Sequence, residues 1–276
     1  MRLEFTKMHG LGNDFVIIDA ISQNVVLRSD QVRRLSDRHT GVGFDQLLIV
    51  EPPTRPDAEF SYRIFNQDGN EVEHCGNGAR CFALFVQQKQ LTRSNPIKVA
   101  TCNGLLELRV LPDQTVRVDM GQPKVSAEEL PASGLSGDAP LHDLQIADET
   151  LQGSLVNVGN PHVVIAVDSV DALDIERLGP AVQQSGYFPD GVNVGFLQIL
   201  SPTEGRLRVY ERGVGETQAC GTGACAAMVA GVRNGWFESE ATLRLTQGPL
   251  TLQYQDGQSV FMTGPGEFVF EGSARL

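Results

Sequence analysis

A chain that repeats its own landmarks at a nearly fixed interval is built as two copies of one unit, and this sequence does so. Asn13, on the Gly10-Leu-Gly-Asn13 turn, recurs as Asn160, and Gln46 recurs as Asn193, each 147 positions on. Cys75 recurs as Cys220 after 145 positions, and Gly104-Leu-Leu-Glu-Leu108 recurs as Gly248-Pro-Leu-Thr-Leu252 after 144, which also sets Val116 on Val260. Any one match is weak. Several in the same order, with offsets that drift by only a few residues, are not a chance pattern. The expected fold is therefore α+β, with two pseudo-symmetric domains. Each is a mostly antiparallel sheet wrapped around the helix that follows its cysteine, and the halves meet at a cleft that sets Cys75 opposite Cys220.

The local patterns agree with this plan. Phe5, Met8 and Phe15-Val-Ile-Ile18 surround Gly10–Asp14 as strand, turn and strand. Ser29 and Asp30 can cap a short helix through Val32 and Leu35, and Gln46–Val50, Phe60–Phe65, Ile97–Val110 and Val116–Met120 read as strands. In the second half the strands are Val156–Val167, Val194–Leu200, Leu207–Glu211, Thr242–Tyr254 and Val260–Met262, with a helix through Leu173, Ile175 and Leu178. The helix after Cys220 carries hardly a charge before Arg233, so it should be buried on most of its circumference. Residues 121–150, rich in Pro, Ala, Ser, Gly and acids, read as a linker or exposed excursion. The first half is then 1–121 and the second 122–276, with the last strand free to pack back on the first half.

Composition narrows the function. With 276 residues, 41% of them hydrophobic, the chain can build two real cores. A net charge of −12 argues against nucleic acid or an anionic membrane as partner and favours a small molecule. The N-terminal Met1–His9 lacks the apolar core of a signal peptide and no apolar run could span a bilayer, so the expectation is a cytoplasmic protein. Five cysteines, none in Cys-x-x-Cys spacing, suit free thiols in a reducing compartment rather than disulfides or a metal site.

Cys220 directly precedes Gly221-Thr-Gly223, and Cys75 precedes Gly76-Asn-Gly78. If each glycine turn opens a helix, its unpaired N–H groups face the thiol and favour a thiolate or a bound carboxylate. Two facing thiols can remove a proton from one face of a carbon and return one to the other. Without pyridoxal phosphate the carbanion has no electron sink, so the N–H groups of Gly76, Asn77, Gly221 and Thr222 would have to stabilise the carboxylate as it gains enediolate character. Cys81, Cys102 and Cys225 read as small buried hydrophobes, and His9, His39, His74 and His142 as structural or exposed. Asn beside Gly normally serves a turn, His162 beside Pro161 could do the same, and Glu211-Arg212 could be a surface pair.

Taken together, Met8-His-Gly-Leu-Gly-Asn-Asp-Phe15, Phe65-Asn66, Cys75-Gly-Asn-Gly-Ala-Arg-Cys81, Gly159-Asn-Pro-His162, Val209-Tyr-Glu-Arg-Gly213 and Ala219-Cys-Gly-Thr-Gly-Ala224 resemble diaminopimelate epimerase. The resemblance runs from Met8 to the C-terminus. It implies interconversion of LL- and meso-2,6-diaminopimelate with no cofactor and no metal, feeding lysine and peptidoglycan synthesis. It also implies that Cys220 accepts and Cys75 donates the proton in the LL-to-meso direction, with His162 and Glu211 tuning the thiols. The implied substrate contacts are Asn13, Gln46, Asn66, Asn160, Asn193, Glu211 and Arg212, with Gly76, Asn77, Gly221 and Thr222 at the reacting carboxylate. A forked pair of bonds from Arg212 suits a distal carboxylate, and Glu211 and amide oxygens suit ammonium groups. The family is often dimeric, and Phe268 and Phe270 are candidates for a homodimer interface. Two other readings compete: a racemase or epimerase of proline or hydroxyproline using the same thiols, and a non-catalytic module that clamps a small zwitterion.

Overall fold

The computed structural model describes residues 2–72, 76–101 and 104–275. Contacts divide the chain into two compact units, Met1–Val118 with Gly264–Leu276, and Asp119–Thr263.

The first unit begins with Arg2–Gly10 (β1) and Asn13–Asp19 (β2), an antiparallel hairpin. Its two-residue turn holds Leu11 at φ 54° and Gly12 at φ 83°, the positive values that match the twist of the flanking strands. Ser29–Ser36 (α1) carries the chain to Gln46–Glu51 (β3), parallel to β2, and Phe60–Asn66 (β4) returns antiparallel. Glu71–Val72 (β5) pairs with the end of β4, and Gly76–Gln88 (α2) follows. Ile97–Thr101 (β6) runs parallel to β4, and Gly104–Val110 (β7) and Val116–Asp119 (β8) complete a meander. Val16 and Ile18 share a cluster with Val32 and Leu35 of α1. Side chains alternate along a strand, so Phe15 and Ile17 take the other face, where α2 packs. A sheet covered on both faces explains why Phe15-Val-Ile-Ile18 is apolar throughout rather than at every second position.

The second unit contains a single helical turn, Ala127–Glu129, followed by His142–Ile146 (β9), Glu149–Asn157 (β10) and Pro161–Ala166 (β11). Ile175–Gln183 (α3) leads to Asn193–Ser201 (β12), Glu204–Glu211 (β13) and Gly215–Thr217 (β14). Gly221–Arg233 (α4) precedes Glu240–Leu245 (β15), Gly248–Gln253 (β16) and Phe261–Gly264 (β17). Strands β11 and β12 are parallel, as are β13 and β15, and the other pairings of this unit are antiparallel. The sheet wraps α4, which packs on β10, β11, β12, β13, β15 and β16 and is buried from Gly223 to Gly231. At Gly231 the packing leaves no room for a side chain: an added Cβ would stand 2.1 Å from Phe237 Cδ2.

The repeat survives at the level of register. Phe15 lies opposite Gln46 as His162 lies opposite Asn193, and Phe60 opposite Val99 as Gly205 opposite Leu243. A forked ion pair, Arg63 to Glu71 at 2.8 and 2.7 Å, ties β5 to β4, and Arg208 to Glu216 at 2.7 and 2.8 Å ties β14 to β13.

One expectation needs correction. Residues 121–150 are not simply an exposed linker: His142, Leu144 and Ile146 are buried on one face of β9, and Ala127, Leu130, Leu144 and Ile146 join the core of the second unit. A five-residue strand with one buried face keeps a polar composition, which an average over thirty residues conceals. The last strand, Glu267–Arg275 (β18), pairs antiparallel with β1 and belongs to the first unit. It stands to β1 as β9 stands to β10, so the counterpart of β9 in the duplication lies at the far end of the chain, where a constant offset does not look for it.

Candidate active site

Cys220 is the residue that starts α4, in extended conformation at φ −112° and ψ 104°. The N–H of Gly223 donates to its Sγ at 3.4 Å, and Thr222 Oγ1 lies 3.5 Å from the same sulfur. Glu211, the last residue of β13, lies near enough to this thiol for the two groups to act on each other, and the Thr217 hydroxyl on β14 donates to Glu211 Oε1. The donors at the helix terminus act on the sulfur together with two opposing influences. Burial raises the Cys220 thiol well above its ordinary value and the negative charge of Glu211 raises it further, against the donors Thr222 and Gly223 that pull it down. Burial also raises Glu211, while Thr217 and Cys220 oppose that rise. The proton therefore rests on sulfur, beside a carboxylate able to receive it.

Around this pair the polar side chains bond to one another. Asn160 Nδ2 donates to Thr222 Oγ1 at 3.4 Å, and His162 Nε2 donates to Asn160 Oδ1 at 3.0 Å. His162 has no exposed surface, and burial, with a smaller effect of the Arg212 charge, lowers its pKa to about 3, so it is a neutral imidazole. Asn193 is engaged at both ends of its amide by backbone: Nδ2 donates to Pro161 O at 3.0 Å, and Oδ1 accepts from Arg212 N at 3.0 Å. It thus fastens β12 to β11 and to the end of β13. The exposed Arg212 side chain lies over the Asp190–Gly191 turn, with Nη1 donating to Asp190 O at 2.8 Å.

The first unit gathers the other expected residues. Asn77, in the first turn of α2 after Gly76, donates from Nδ2 to Asn13 Oδ1 at 3.3 Å, and Gln46 Nε2 donates to Asn66 Oδ1 at 2.9 Å. Cys75, with Glu73, His74, Cys102 and Asn103, lies outside the described residues. A charged cluster that the motifs did not point to supports this side. Asp14 meets Lys7 Nζ at 2.5 Å and takes both arms of Arg38 at 2.9 and 2.8 Å, and Asn13 Nδ2 donates to Asp45 Oδ2 at 3.1 Å. Burial works against ionisation of Asp14, but Arg38 and Lys7 outweigh it and hold the carboxyl below its ordinary range. The signal was present in the sequence, since Asp14 and Asp45 directly adjoin Asn13 and Gln46.

The duplication pairs these positions: Asn13 with Asn160, Gln46 with Asn193, Asn66 with Glu211, Gly76 with Gly221 and Asn77 with Thr222. The bond between Asn77 and Asn13 recurs as the contact of Thr222 with Asn160. The halves differ where acid–base chemistry needs it. Glu211 replaces an amide, and His162 replaces Phe15. The described cysteines Cys81, Cys220 and Cys225 are buried, and among the described residues no group of three or more His, Cys, Asp or Glu side chains is placed to hold a metal ion.

A family model described as diaminopimelate epimerase matches residues 5–126 and 154–269. A diaminopimelate epimerase of Stutzerimonas stutzeri (strain A1501) is 52% identical over 277 residues, with 100% of both chains covered. One of Pseudomonas aeruginosa (strain UCBPP-PA14) is 51% identical over the same span and coverage. Among solved structures, a phenazine biosynthesis protein of the PhzF family from Bacillus anthracis shares the fold with a TM-score of 0.70 at 16% identity, covering 100% of both chains. A hydroxyproline epimerase from Agrobacterium vitis, solved with bound trans-4-hydroxy-L-proline, does so with a TM-score of 0.69 at 14% identity, covering 99% of this chain and 92% of that one. At these identities the two structures bear on the fold alone.

Proposed function

The chain belongs to the diaminopimelate epimerase family, and from that premise we propose that it interconverts LL- and meso-2,6-diaminopimelate by moving protons between two cysteines. The observation that carries the reading is the pairing of Cys220 with Glu211 at the head of a buried helix. In the LL-to-meso direction the Cys220 proton passes to Glu211, and the thiolate so formed takes the proton from the α-carbon. Cys75, the duplicated thiol, returns a proton to the opposite face. In the meso-to-LL direction the roles exchange, and a Cys220 that rests protonated is ready to act as the acid.

The N–H groups in the first turns of α2 and α4, at Gly76, Asn77, Gly221 and Thr222, bind the reacting carboxylate and stabilise its enediolate form. Each is worth roughly 3 kcal/mol if it acts like an oxyanion-hole donor. Asn13, Gln46, Asn66, Asn160 and Glu211 receive the ammonium groups, Arg212 takes the distal carboxylate, and Asn193 holds Arg212 in place through its backbone. His162, neutral and bonded to Asn160, fixes the orientation of that amide. No cofactor enters the scheme, and the product serves lysine and peptidoglycan synthesis.

A cytoplasmic homodimer belongs to the same proposal. Reacting thiols suit a reducing compartment, and among the described residues no helix is long and apolar enough to cross a membrane. On β18, Phe268, Val269 and Phe270 are 36%, 53% and 48% exposed, an apolar strip suited to a second copy.

The test is turnover of LL-diaminopimelate followed by chiral separation, alongside proline and trans-4-hydroxy-L-proline. The reading expects inversion of diaminopimelate alone, lost in Cys75→Ala and in Cys220→Ala. Turnover of the proline substrates without diaminopimelate would move the chain to that class, and α-hydrogen exchange no faster than without protein would make it a binding module.

A further inference from the structure

We propose that Thr217 is a positioning residue for the reaction: its hydroxyl donates to Glu211 Oε1 and so holds that carboxylate on the side of the Cys220 thiol. The inference rests on the reading of Glu211 as the group that receives the Cys220 proton. It goes further in assigning a role to a residue outside the expected site.

The internal duplication supplies the argument, because it offers the same scaffold with and without the device. Thr217 sits opposite Val209 in the β13–β14 pair, as Val72 sits opposite Ile64 in the β4–β5 pair. The two short strands are fastened alike, β5 by the fork of Arg63 on Glu71 and β14 by that of Arg208 on Glu216. Arg208 also donates to Val170 O at 2.7 Å, which ties β13 to a further loop. The framework therefore does not need a hydroxyl at this position, since Val72 serves in the first unit. What differs is the residue diagonally across on the neighbouring strand, two positions beyond the direct partner: Asn66 in the first unit and Glu211 in the second. Diagonal neighbours on one face of a sheet are within reach of each other. Where the carboxylate is present its donor is present, and where an amide takes its place a valine stands at the donor's position.

A buried carboxylate with a free rotor could turn away from the sulfur, and burial favours its protonated form, in which it cannot accept the thiol proton. A donor fixed on β14 opposes both. The neighbouring elements offer no alternative source of the effect. Strand β12 carries no titratable side chain, β14 carries only Glu216, already held by Arg208, and β15 carries Glu240 and Arg244. Helix α3 carries Glu176 and Arg177, and α4 carries Cys225 and Arg233 beyond its capping Cys220. Of all these, Cys220 alone acts on Glu211.

The experiment is the pH dependence of kcat/KM for LL-diaminopimelate in the intact protein and in Thr217→Val and Thr217→Ser. Valine keeps the shape found at Val72, so the fold is expected to hold, and near-ultraviolet circular dichroism verifies it. The expected result is an acid limb moved to higher pH by about one unit and a rate at neutral pH lowered on the order of tenfold in Thr217→Val, as befits loss of a hydrogen bond to a charged group. Thr217→Ser should restore both. An unshifted acid limb with an unchanged rate in Thr217→Val overturns the proposal, as does a serine variant no better than valine. If the unsubstituted protein itself does not turn over diaminopimelate, the reading of the site has failed instead, and the two failures are distinguishable.

Discussion

His162 offers a prediction whose size follows from its surroundings. In the folded protein its imidazole is fully buried with a pKa of about 3, against about 6.5 for a histidine in an unfolded chain. Between those values the unfolded chain binds one proton more than the folded one, so stability rises with pH through the window and is lost as pH falls through it. The slope is about 1.36 kcal/mol per pH unit, which makes the cost of going from pH 8 to pH 5 about 2 kcal/mol from this residue alone. The duplication names the substitution that removes it. Phe15 occupies the matching position, facing Gln46 as His162 faces Asn193. His162→Phe also loses the bond to Asn160 Oδ1, but that loss is the same at both pH values and cancels in the comparison. Urea unfolding at pH 8 and pH 5 should therefore show the variant losing about 2 kcal/mol less than the unsubstituted protein over this interval. Equal losses in the two proteins would refute the assignment of His162 as a buried neutral base.

The other expectations concern the reacting pair, the substrate clamp and the core. Glu211→Gln should lower kcat by about 10²–10⁴-fold, the usual contribution of a positioned general base, while leaving thermal stability near its starting value; a steady-state rate within threefold of the original would contradict the role. Arg212→Lys should raise KM on the order of tenfold with little change in kcat, because an ammonium cannot make the forked contact; an unchanged KM would remove Arg212 from the substrate site. Gly231→Ala should destabilise by roughly 1–3 kcal/mol, because the close approach of Phe237 outweighs the gain of about 1 kcal/mol that alanine brings to a free helix. A raised melting temperature in that variant would show that the contact yields.

The plan of two matching units was legible because each half must repeat its turns and strand ends to rebuild the same fold. Asn13, Asn160, Gln46 and Asn193 kept their spacing for that reason, and Phe15-Val-Ile-Ile18 read as a strand. The position of β9 was not legible, since three buried side chains in a five-residue strand do not change the composition of the polar stretch around it. The return of β18 to β1 depends on pairing across the whole length of the chain, which no local pattern encodes. At the site, the motif singled out Cys220 and the donors at its helix terminus, but not the burial and the neighbouring carboxylate that oppose them. A helix terminus lowers a thiol in water, whereas here burial and the Glu211 carboxylate prevail. The charged cluster of Lys7, Asp14, Arg38 and Asp45 was missed although Asp14 and Asp45 adjoin Asn13 and Gln46, because Lys7 and Arg38 lie apart from those motif positions and only the fold brings the four together.

The claim that two thiols share one inversion is tested most directly by the fate of solvent deuterium at the earliest stage of reaction. With LL-diaminopimelate in deuterated water, the account predicts that the first meso product carries deuterium at the inverted carbon while the remaining LL substrate is still protiated, since the group that delivers the new hydrogen is not the one that removed the old. Product that retains the substrate's own hydrogen, or substrate that exchanges before it inverts, would contradict it.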